Sequence, residues 1–256
     1  MKKQRRCRNY LVVLEQIFCE KGGCRLDTVL RSVSPPPRLL IAENNPLFEL
    51  IPSALNQNIP GISVDLCRSL DTAHQKLPNI GHYDMMIASV GLAEVGNFFL
   101  LQRHRTLHPV MPFIVTAGAR NYEIARLAIA RGAFDIIVAP LTPSDAVSTV
   151  QLACTFHELK KIIALRQKKL NRLRDQQVHH RRGIYVLPTF DNKMTRTDEE
   201  KYASRQNTLR AYEHTINALQ KSLTLLVNKA TQVEQEAVRG TVKRLGVLQN
   251  MAREEG

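Results

Sequence analysis

The chain predicts a doubly wound α/β sandwich with a parallel sheet, followed by a long α-helical, coiled-coil-like extension. Three observations predict it. Short apolar bursts alternate with runs of helical spacing from Arg38 to about Cys154, and parallel strands each need a crossover helix, which covers both sheet faces and gives three layers. The series closes on Gly132-Ala133-Phe134-Asp135-Ile136-Ile137-Val138-Ala139-Pro140, where glycine ends a helix, β-branched residues form a buried strand and proline stops it. Beyond this point the spacing turns helical almost to the end of the chain.

In order, Leu39-Leu40-Ile41-Ala42 is the first strand, and Pro46 to Asn56 carries Leu47, Leu50, Ile51 and Leu55 at helical spacing. Ile62 to Leu66 is the second strand and Leu70 to Leu77 a short helix. Met85-Met86-Ile87-Ala88 makes the third strand, with a weaker helix near Asn97 to Arg105. Val110 to Val115 is the fourth strand, Asn121 to Arg131 the next helix, and the closing cassette the fifth strand, with a last helix from about Ser144. Five βα units result. The domains read as a basic extension with a Ser34-Pro35-Pro36-Pro37 linker over 1–37, the α/β domain over 38–154, a basic helical extension over 155–182, a linker over 183–200 and a C-terminal coiled-coil helix over 201–256.

The formal charge of +13 is unevenly placed. Eight basic against three acidic residues leave +5 over 1–37, eight against nine leave −1 over 38–150, nine against two leave +7 over 151–182, and eleven against nine leave +2 over 183–256. An anionic partner would therefore meet the flanks of the domain. The five cysteines, Cys7, Cys19, Cys24, Cys67 and Cys154, form no C-x-x-C pair and match no histidine pattern, so they read as reduced thiols without a metal site. No apolar run reaches the roughly 18 residues of a membrane helix, and the basic start is too weakly apolar for a signal peptide; a cytoplasmic location with no membrane contact is expected.

The closing cassette resembles the last strand of response-regulator receiver domains, and the resemblance extends over 38–154. It implies the strand order 2-1-3-4-5 and a pocket at the carboxyl ends of the strands. Receivers place an acidic pair after the first strand for magnesium, a phosphoaccepting aspartate after the third, a Ser or Thr after the fourth and a lysine after the fifth, with a switch aromatic in that last strand. Here Glu43 and Asn44 stand in the acidic pair, Ser89 in the acceptor position, Thr116 in the hydroxyl position, Ala139 in the lysine position and Ile136 in the aromatic position. Only Thr116 and one carboxylate keep their type, and serine forms no acyl phosphate. Asp84 is the rival acceptor, but it precedes the apolar run and belongs at the wrong strand end. Ser89 and Thr116 read either as small residues filling strand ends or as part of an emptied pocket that takes another ligand or is fixed in one signalling conformation.

Beyond the domain, Phe156, Leu159, Ile163, Leu170 and Leu173 follow 3-4 spacing, while Lys160, Lys161, Lys168, Lys169, Arg172 and Arg174 cover the outer faces as a solvated surface or a polyanion site. The second array, Leu209, Tyr212, Ile216, Leu219, Leu223, Leu226, Ala230, Val233 and Ala237, holds a and d positions without interruption until Gly240. It fits self-association or a helical protein partner, with packing on its own domain as the alternative. No nucleophile-base pair, metal cluster or phosphate-cradling loop appears, so neither enzyme activity nor a cofactor is expected. The expectation is a two-component signalling adaptor whose degenerate receiver is not phosphorylated and whose helix dimerises; the alternative is a nucleic-acid-binding regulator using the basic helix and N-terminus.

Overall fold

The computed structural model describes residues 36–76, 78, 82–184 and 196–254. The basic extension and most of its linker, over 1–35, lie outside the described residues, as does 185–195 of the second linker. Five parallel strands, β1 (Arg38–Ala42), β2 (Ser63–Cys67), β3 (Met85–Ser89), β4 (Phe113–Ala117) and β5 (Asp135–Val138), lie in the order β2-β1-β3-β4-β5. The central strands β3 and β4 are buried at every position. That burial explains why they read as continuous apolar runs rather than alternating ones.

Alternate residues face opposite layers, as the two-residue period of a strand requires. Leu39, Ile41, Met85, Ile87, Ile114 and Ile137 pack under α1 (Leu50–Asn58) and the first turns of α5 (Pro143–Ile184). Leu40, Met86, Ala88, Phe113, Val115 and Ile136 form the other layer, where Phe98 and Leu101 of α3 (Val90–Leu107) and Ala125 and Ala128 of α4 (Tyr122–Ala130) join them. The short α2 (Leu70–Lys76) completes that side with Ala73.

Several boundaries differ from the sequence expectation. The helix expected from Pro46 is a 3-10 turn over Pro46–Phe48 followed by α1, because Pro52 belongs in a first turn, where its missing N–H is not required. The helix expected near Asn97 begins at Val90, directly off β3, and β4 begins at Phe113 rather than Val110, after Pro112. Gly132 ends α4 as expected. It has φ +96°, its N–H donates to the Ile129 carbonyl and that of Ala133 to the Ala128 carbonyl, the left-handed closure that glycine permits without a Cβ penalty.

The largest difference concerns the extension. The helix from Pro143 runs unbroken through Gly183 to Ile184, and the final helix, α6, spans Arg196–Glu254 and passes straight through Gly240. α6 packs along α5 and then along β5 and α4, so it belongs to the same compact unit as the sheet. Ile216, Leu226, Ala230, Val233, Ala237 and Leu248 are buried there. Much of the seam expected to recruit a second helix is thus covered within the chain, the packing on its own domain that was the alternative, while Leu209, Tyr212, Leu219 and Leu223 are half-buried.

Candidate functional site

The carboxyl ends of the strands bring the expected pocket residues together. Ser89 and Thr116 are ladder neighbours, Thr116 pairs in turn with Ile137, and Ala139 lies just past β5, before a cis peptide bond to Pro140. Glu43, Ser89, Thr116 and Ala139 are all buried, while Asn44 is exposed. The Glu43 carboxylate is taken up at both oxygens. Oε1 accepts from the Asn44 and Asn45 amides at 3.0 and 2.9 Å, and Oε2 accepts from the Thr116 hydroxyl.

This arrangement limits the chemistry. Hard divalent cations take six or more oxygens with carboxylates among them; here a single carboxylate already serves three donors, and the residues do not fit a magnesium site. Among the described residues no three His, Cys, Asp or Glu side chains converge as metal ligands. Ser89 precedes α3, yet its hydroxyl makes no capping bond to the helix amides. The buried histidines His104 and His157 lie at the opposite, amino ends of the strands: His157 Nδ1 is 3.2 Å from the Val110 carbonyl, and the His104 ring meets Phe113 edge-on at 5.1 Å. Neither of these two histidines pairs with Ser89. Ile136, in the switch position, is wholly buried in the cluster that includes Leu248 of α6.

Asp84 lies at the amino ends of the strands as well. It precedes β3, accepts from the Arg38 amide at 2.9 Å and pairs with Lys161 at 2.6 Å. Burial works against the Lys161 ammonium, but the Asp84 hydrogen bond and the charge of Glu158 outweigh it and raise its pKa. Lys161 is thus committed to the fold. Nearby, burial, with Asp84 and Glu158 adding to it, pushes the Cys154 thiol up to about 12, which leaves it inert.

The remaining candidate polyanion residues divide by face. Lys160 lies over the Phe156 ring at 4.9 Å; Lys168, Arg172 and Arg174 are exposed and Lys169 is half-buried. Arg181 pairs with Glu213 of α6 at 2.7 Å.

One cluster escaped the sequence reading. Asp135, fully buried at the head of β5, accepts from its neighbour's amide, Ile136 N, at 2.8 Å, from the Thr241 hydroxyl at 2.6 Å and from the Arg244 guanidinium. The signal was present as Arg244 in a seam position of the last heptads, where an unpaired charge does not belong.

The sheet order and the placement of these residues are those of a receiver-like α/β fold. Solved structures similar to this chain include the receiver domain of NtrX from Brucella abortus, 22% identical, covering 46% of this chain and 97% of that one with a TM-score of 0.41. Full NtrX from the same organism is 20% identical over 50% of this chain, with a TM-score of 0.45, and this chain spans 29% of its length. Full-length FixJ from B. japonicum is 17% identical, covering 78% of this chain and 99% of that one with a TM-score of 0.43. No protein-family model matches the chain, and no curated protein does.

Proposed function

We propose that the protein is a cytoplasmic signalling adaptor of the response-regulator type, in which a degenerate receiver works without phosphotransfer, metal or enzymatic turnover and acts on other proteins through its helical extension, including by self-association. The observation that carries this reading is the state of Glu43. The one carboxylate retained at the strand ends is buried and bound to Thr116 and two amides, with Ser89 and Ala139 where acceptor and lysine would stand. Such a pocket has neither a nucleophilic carboxylate nor a cation to balance a phosphoryl group.

Intact-mass measurement of the full chain with acetyl phosphate and magnesium tests it. The expected result is an unmodified protein, and a covalent phosphoryl adduct that disappears in a Glu43→Gln or Ser89→Ala variant overturns it. A second reading, nucleic-acid binding along α5, is favoured by the exposure of Lys168, Arg172 and Arg174. It requires an RNA or DNA affinity that falls steeply with salt and is lost on charge reversal of Lys168 and Arg172.

A further inference from the structure

The last turns of α6 form one wall of a cleft that shares no residue with the strand-end pocket. The other wall is the 3-10 turn Ala119–Asn121, which follows β4, together with the first turn of α4. The cleft holds about 720 Å³ and opens to solvent, a size within the roughly 300–1,000 Å³ of small-molecule sites. Ala119, Ile124 and Ala252 give it apolar surface, while its polar side chains are mostly donors. Gln249 and Arg253 lie four apart and so share a face of α6; Tyr122 is on the facing wall. The Gln249 amide, the Arg253 guanidinium and the Tyr122 hydroxyl have no hydrogen-bond or ion-pair partner among the described residues, and Arg120 adds a second guanidinium. The one carboxylate on the cleft, Glu123, is paired with Arg126 at 2.9 Å. The lining is therefore net positive, with donors beside apolar surface. Such a site suits a small organic anion: a guanidinium forks onto carboxylate or phosphate oxygens, and the alanine, isoleucine and ring surface covers the apolar body.

The wall that carries Arg253 is joined to the rest of α6 by poor helix formers. Gly240, Thr241, Val242, Gly246 and Val247 fall within eight residues. Val242 is 65% and Val247 48% exposed, so their β-branching weakens the helix with little packing in return. A Cβ on Gly246 would meet nothing within 4 Å, so no neighbour requires glycine there. Gly240 differs, since a Cβ would lie 2.8 Å from Arg244 Nη2 and crowd the guanidinium that holds Asp135. These turns thus owe their helical state to docking, through the Asp135–Arg244 pair and the buried Leu248. The cleft exists only while they are docked, and a ligand that touches both walls stabilises the docked end by mass action.

We propose that this cleft binds a small organic anion, a carboxylate or phosphate ester with an apolar body, and that its occupancy holds the end of α6 against α4. The site uses no strand-end residue and stands apart from the adaptor reading. Isothermal titration of the full chain with benzoate and with phenyl phosphate, against sodium chloride at equal ionic strength, tests the binding. Hydrogen exchange of the amides from Gly246 to Glu254 tests the coupling, with circular dichroism as a control for folding. At least one probe is expected to bind saturably and to slow that exchange several-fold; which of the two does so assigns the headgroup. Arg253→Ala is expected to weaken binding at least about tenfold, and Arg253→Lys, which keeps the charge but loses the fork, to weaken it less. Gly246→Ala is expected to slow the exchange without any ligand. Neither probe binding above the salt control, or binding that Arg253→Ala leaves unchanged, overturns the site. Binding that leaves the exchange unchanged overturns the coupling.

Discussion

Among the described residues two carboxylates are buried, and the chain satisfies them in opposite ways. Glu43 is closed by the next two amides and by a hydroxyl two strands across the sheet. Asp135 depends on Thr241 and Arg244, 106 and 109 residues further along. The first closure needs nothing beyond the α/β domain. The second makes the last helix part of that domain, because without α6 a charge at 0% exposure would have no counterion. Local closure quiets a pocket; distant closure joins an extension to the sheet.

The comparison breaks most easily at Arg244. Arg244→Ala leaves Asp135 buried without a counterion and is expected to cost about 3–5 kcal/mol, the range for breaking a buried pair. Denaturant unfolding measures it, and a loss below 1 kcal/mol would show that α6 docks by apolar contact alone. Leu248→Ala isolates that apolar share. Leu248 is fully buried among Ile136 and its neighbours, so removing it should cost about 2–4 kcal/mol through lost burial and a cavity. A smaller loss with near-native secondary structure would mean that the ion pair carries the docking.

How far the molecule was legible follows the same division. The central strands were legible because residues buried on both faces form apolar bursts, and the receiver resemblance supplied the order of all five. Glu43, Asn44, Ser89, Thr116 and Ala139 could be read to one end of the sheet because each lies in or just past the last residues of its strand. The Glu43–Thr116 bond was not legible, because it joins residues 73 apart whose meeting depends on the sheet. The α6 seam was legible as a stripe, but a heptad period reports the width of an apolar face and not what covers it. Pro52 and the direct passage from β3 into α3 displaced helix starts for local reasons that hydrophobic spacing does not register.

His104 sharpens the comparison from the other side, as a buried group with no partner. It is fully buried and neither ring nitrogen has a hydrogen bond. Burial, with His108 and His157 adding to it, lowers its pKa from 6.5 to about 3, and burial followed by the Lys161 charge lowers that of His157. The neutral imidazole is the folded form, so its contribution is whole above about pH 6.5 and declines below it as the unfolded chain takes up the proton. His104 alone should account for about 2 kcal/mol between pH 7 and 5. His104→Leu should flatten that part of the profile without loss at pH 7, since an apolar group of similar shape needs no hydrogen bond. An unchanged acid slope would assign the effect to other groups.

Glu43→Gln is the mildest test and the most informative about the pocket. The amide keeps an oxygen for the Asn44 and Asn45 amides, but its nitrogen cannot accept the Thr116 hydroxyl, which can turn to donate elsewhere or accept instead. One charge-assisted bond becomes at most a neutral one, at a cost of about 1 kcal/mol. Because every partner of Glu43 lies inside the α/β domain, the loss should leave the Arg244→Ala penalty unchanged, and the double variant should be additive within about 0.5 kcal/mol. A coupling larger than that would mean that the strand-end pocket and the α6 anchor communicate through β4 and β5. The closed pocket would then be one position of a two-state sheet rather than a filled strand end.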